Sequence, residues 1–103
     1  MADLTQPPDI DEALRRLIEQ PSYAAQVLTV TARMLEMDPT EPMTTRAGGI
    51  AMTIAVDAIL TPLPRAVSDD SMDRVTRAMP DLADGITRGE AALRLRAAAR
   101  ALG

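Results

Sequence analysis

The sequence predicts an all-α fold, a compact bundle of four to five short helices, and three observations carry that reading. Apolar side chains recur at helical spacing in every segment between turn residues, and none alternates with the period of two that a strand needs. Pro-rich stretches and Gly85 separate those segments, with Ser, Thr or Asp placed as caps at their starts. The length of 103 residues, 47% hydrophobic and 25% charged, suits one globular domain. Residues 1–8 read as a mobile N-terminal tail, because Pro7 and Pro8 block regular structure. Residues 9–103 read as a single helical domain.

The first predicted helix, 9–20, opens on a capping-box variant, Asp9 with Glu12, and aligns Ile10, Leu14, Leu17 and Ile18 on one face. Pro21 ends it and starts a second helix, about 21–37. That helix has two apolar stripes, one of Ala24, Leu28, Thr31 and Leu35, the other of Tyr23, Val27, Val30, Met34 and Met37. A wide face of this kind suits contact with two neighbours.

After the stiff loop Asp38-Pro39 to Glu41-Pro42, Thr44 or Thr45 caps the third helix, about 44–60. From Ala47 to Leu60 only Thr53 and Asp57 are polar, so this helix is expected at the centre of the bundle. Arg46, Gly49, Thr53 and Asp57 share one narrow stripe, the expected seam to solvent. Gly48-Gly49 weakens the helix by roughly 1 kcal/mol per Gly against Ala, so a close neighbouring backbone is expected there. On that expectation Gly49→Leu destabilises more than Ala92→Leu.

Thr61 to Pro64 is a linker, and Ser68 is the expected cap of a fourth helix with Asp69 and Asp70 in its first turn. Met72, Val75, Met79 and Leu82 follow at helical spacing, interrupted by Pro80. Gly85 is a stop, and Thr87-Arg88-Gly89-Glu90 is a capping box that opens the last helix, to Leu102. Ala91, Leu95, Ala98 and Leu102 form its seam. Residues 85–103 carry four Arg and one acid, a net +3, while the rest carries −7. The last helix is thus a basic element on an acidic body, expected to dock on acidic surface of its own chain or of another copy.

Composition removes much chemistry. Cys, His, Lys, Trp and Phe are all absent. Thiol nucleophiles, disulfides, imidazole acid–base work, Schiff bases and a P-loop are therefore excluded. Stability must come from a thin aliphatic core without the area an aromatic ring supplies. Residues 1–10, acidic with paired prolines, do not read as a secretory leader, and no apolar run in the sequence reaches the length of a membrane span. Asp57 is the one acid on the apolar third helix, and it reads as exposed, without a partner carboxylate at a hydrolase spacing. The seven Met residues fill gaps in such a core, with Met37 and Met43 beside the proline loop expected to be exposed.

Two short resemblances stand beside this reading. Asp70-Ser71-Met72 is similar to the Asp-Ser-Leu at which carrier proteins take phosphopantetheine, with Met in place of Leu. Gly85-Ile86-Thr87-Arg88-Gly89 and the following Arg-bearing helix resemble the turn and recognition helix of helix-turn-helix DNA binders. That resemblance covers residues 82–102 and implies Thr87, Arg88 and Arg94 or Arg96 near phosphates and bases. It departs from the family at Asp84 and Asp81, where an apolar and a small residue are usual, and at Pro80.

The expected function is non-enzymatic: a small cytoplasmic adaptor, regulatory or assembly protein that works through protein–protein contacts and self-associates. No cofactor, metal or membrane enters that reading. The expected interface on the last helix comprises Arg88, Arg94, Leu95, Arg96, Ala98, Arg100 and Leu102. Met37 and Met43 extend it. The alternative is a DNA-binding regulator using residues 82–102.

Overall fold

The computed structural model describes residues 20–82 and 85–103. They form four helices: α1 (Tyr23–Leu35), α2 (Thr45–Ile59), α3 (Arg65–Ala78) and α4 (Arg88–Leu102). Among the described residues the only β-type pairing is an isolated bridge between Pro42 and Thr87. The all-α class therefore holds. The predicted tail, and the helix predicted over 9–20 up to residue 19, lie outside the described residues.

Local chemistry explains most boundaries. Thr44 and Thr87 have extended backbones, and their hydroxyls accept from Ala47 N at 3.0 Å and Glu90 N at 3.1 Å. Helix α1 starts later than predicted. Pro21 stands outside it and Ser22 caps it, accepting from Ala25 N at 3.2 Å. Helix α3 starts earlier, directly after Pro64, whose φ of −55° already lies in the range of helix starts. Ser68 is consequently inside the helix and caps nothing. Met79, with ψ of 120°, has left the helical region because Pro80 follows it.

Among the described helices α1 is the central one, packing against each of the other three, most extensively α4 and α2. Its buried residues are Ala24, Ala25, Val27, Leu28, Thr31, Ala32 and Leu35. The helix expected at the centre, about 44–60, is instead at the edge: α2 packs chiefly on α1 and buries Ala51 and Ala55. Its isoleucines explain the exchange. Ile50 and Ile54 are 51% and 47% exposed, because each precedes one of those alanines and so projects about 100° around the helix from it. Small residues set the spacing of the core. Ala91, Ala92 and Ala99 of α4 meet a helix that itself buries three alanines, so the axes can approach closely without aromatic filling.

The glycine expectation also moves. A Cβ at Gly49 has open space, and one at Gly48 meets only the flexible end of Met43, 2.7 Å away. The close backbone approach is at Gly89, where a Cβ lies 3.1 Å from both the Cβ and the carbonyl oxygen of Pro39.

Candidate protein-interaction surface

The start of α4 is built into the loop that follows α1. Arg88 N donates to the Glu41 carbonyl at 2.8 Å, Gly89 N to the Pro39 carbonyl at 2.9 Å, and Glu90 N to the Thr87 hydroxyl. These are the first amides of the helix, which otherwise lack partners. Gly85, at φ +95°, turns the chain so that the Ile86 carbonyl accepts from Met43 N at 2.9 Å. The amide end that a recognition helix turns toward DNA is thus engaged with the chain's own carbonyls.

The basic side chains of α4 are mostly engaged as well. Arg88 Nε donates to the Pro42 carbonyl at 3.2 Å, and Asp38 lies 4.0 Å from its Nη1. Arg94 holds the Asp81 carbonyl and the Glu90 carboxylate, both at 2.8 Å. Arg96 grips Glu36 with two donors, Nε at 2.7 Å and Nη2 at 2.6 Å. These hydrogen bonds hold the Glu36 carboxyl below the usual carboxylate range; partial desolvation opposes the shift, and the Arg96 and Arg33 charges add to it. The same bonds push Arg96 up. Arg100 is exposed and takes part in no salt bridge among the described residues.

The predicted seam is covered within the chain. Leu95 is fully buried, Ala98 and Leu102 pack half-buried against the core, and the remaining buried positions are Ala91, Ala92 and Ala99. The seam is therefore rotated from the predicted one, and Ala92, expected to tolerate bulk, is enclosed. Met43, expected to be exposed, is 7% exposed because its backbone is tied to Ile86 and its side chain lies over Gly48. Met37 is 78% exposed.

Two smaller candidates lose their chemistry here. Ser71 is buried on α3, where a phosphopantetheine arm has no access to its hydroxyl. Asp57 is exposed and accepts from the Thr61 hydroxyl at 3.3 Å, on the solvent stripe with Arg46, Gly49 and Thr53. Among the described residues no acidic cluster can hold a metal ion, and no helix is long and apolar enough to cross a membrane.

Among the exposed large apolar side chains, which also include Tyr23, Val67, Met72 and Met79, the most exposed lie at two places. One is the outer face of α2, with Ile50 and Ile54. A cleft of about 300 Å³ runs beside it, lined by Ala47, Ile50, Met34 and the arginines Arg46 and Arg88. The other comprises Met37, after α1, and Leu93 on α4, which is 66% exposed. Leu93 shares a face of α4 with Gly89 and Arg96, whose partners Pro39 and Glu36 flank Met37. The isoleucines escape the sequence reading because they sit on a helix taken as apolar on all but one narrow stripe, and Leu93 because it lies off the seam assigned to the last helix. The signal available was their offset from the alanine stripes Ala51, Ala55 and Ala91, Ala99.

Compared with protein-family models, with curated proteins and with solved structures, the chain has no match in any of the three.

Proposed function

We propose that the protein is a non-enzymatic, self-associating interaction module of the cytoplasm, an adaptor or assembly element working through apolar surface. The observation that carries this reading is α2, an edge helix on which two of the three isoleucines, Ile50 and Ile54, face solvent. Partly exposed large aliphatic side chains grouped on one face suit a partner surface. The absence of Cys, His and Lys adds to it, since few side chains for catalysis remain. The DNA-binding alternative finds less support: Arg88, Arg94 and Arg96 are engaged internally, and the body is acidic.

Light scattering over a wide concentration range tests the proposal. The expected mass rises above that of one chain. A single-chain mass at every concentration, together with steeply salt-dependent binding of a short DNA duplex, overturns it in favour of the regulator.

A further inference from the structure

We propose that the partner of α2 is the α2 of a second copy, packed antiparallel about a two-fold axis at the level of Met52. This deepens the reading above and rests on it. Along the exposed face of α2 the order is Arg46, Ile50, Ile54, Asp57: positive, apolar, apolar, negative. Reversing the helix about Met52 sets Ile50 of one copy against Ile54 of the other. The same operation brings Arg46 beside Asp57 at both ends. The face is its own complement, which a two-fold interface requires.

The helix dipole gives a second reason. A cation in the first turn and an anion in the last turn oppose the dipole of their own helix. Helix α2 has that arrangement, with no acid in its first turn and no base in its last. In an antiparallel pair each charge lies at the opposite terminus of the neighbouring helix, where the dipole favours it. A parallel pair would instead place like charges together. Gly49, with no atom near its Cβ position, leaves room on this side for an approaching helix. One helix pair buries less than the roughly 800 Å² per partner of a standard interface, so a transient association is expected rather than an obligate one.

The chain has no Cys, so single-cysteine variants of the full-length protein report one contact each. Thr53 is exposed and one residue from the axis, so its two copies are offset by about 3 Å along the helices. Under mild oxidation Thr53→Cys is expected to form a covalent dimer about tenfold faster than Ala97→Cys, an exposed position on α4, because association raises its effective concentration. Arg46→Asp and Asp57→Arg are each expected to weaken the dimer about tenfold, since symmetry doubles each loss, and the double exchange restores it.

A dimer in which Thr53→Cys links no faster than the control, and which ignores charge reversal, overturns this pairing while leaving self-association standing. A chain monomeric at every concentration overturns both. An intramolecular disulfide in monomeric Leu14→Cys/Ile54→Cys assigns the face to residues 9–20 and overturns the second copy.

Discussion

Helices α2 and α4 have the same length, 15 residues, and are held in opposite ways. Helix α2 is the more apolar by sequence, yet buries two residues within its span and leaves Ile50 and Ile54 about half exposed. Helix α4 carries four arginines and buries four residues, with its first amides and three of its guanidinium groups engaged by the rest of the chain. Burial among these helices follows the register of small residues and the satisfaction of helix ends. Total apolarity of a segment is a poor guide to it.

The largest expected effect breaks that comparison most directly. Leu95→Ala should cost about 2–5 kcal/mol, the usual range for emptying a fully buried leucine site. Ile54→Ala on α2 should change the stability of the single chain by about 0.5 kcal/mol or less. Urea unfolding followed by far-ultraviolet circular dichroism measures both. A reversed order would return α2 to the core.

Bulk is the next probe. Ala92→Leu is expected to cost about 1–3 kcal/mol by overpacking, since Ala92 is fully enclosed. In the single chain, at concentrations below association, Gly49→Leu has open space and should be neutral or stabilising by up to about 1 kcal/mol, through helix propensity. This reverses the order that the sequence implies, and thermal midpoints of the two variants decide it.

Gly89→Ala sharpens the contrast at a smaller scale. The added methyl would meet Pro39 backbone, which the surrounding hydrogen bonds hold in place, and should cost about 1 kcal/mol. Gly48→Ala should be milder, because only the end of the Met43 side chain must move. Equal effects would mean that the loop after α1 yields as easily as a side chain.

The smallest effect belongs to the Glu36–Arg96 pair. Both side chains are about one-third exposed, so Glu36→Gln should cost about 1 kcal/mol or less. Its sign with pH is definite. The folded state lowers the Glu36 carboxyl below its ordinary value of 4.5, so its stabilisation is complete above that value and fades as pH falls through the lowered one. The wild-type advantage over Glu36→Gln should therefore disappear in acid and shrink in high salt. An advantage that persists in acid would show that charge is not its source.

Features governed by nearest neighbours were legible in the sequence. Thr87 is legible as a cap and Thr44 as one of two adjacent candidates, the bounds of α4 follow from its capping box, and Asp57 falls on the exposed stripe. Features that depend on distant segments were not. Nothing near Gly89 in the chain indicates Pro39 as its neighbour, and nothing near Met43 announces that Ile86 will draw it inward. The central role of α1 was equally hidden, because two apolar helices of similar length differ only in which neighbours enclose them. Of the candidate surface, the sequence reading anticipated exposed Met37; Ile50, Ile54 and Leu93 emerged only once the alanine stripes were seen to define the inner faces.

The hydrogen bond from Ser22 N to the Gly103 carbonyl, 2.8 Å long, joins the two extremes of the packed helices. With Gly89 against Pro39 at the far end, α1 and α4 run antiparallel, and the core is a fastener whose two tabs sit together. Tension applied at residues 22 and 103 would open it in sequence, parting Ala99, then Leu95, then Ala92 from α1, instead of shearing all three at once. The mechanical resistance would thus be low while the thermal stability of the same contacts is unaffected. The last link to part would be the joint between Gly89 and Pro39.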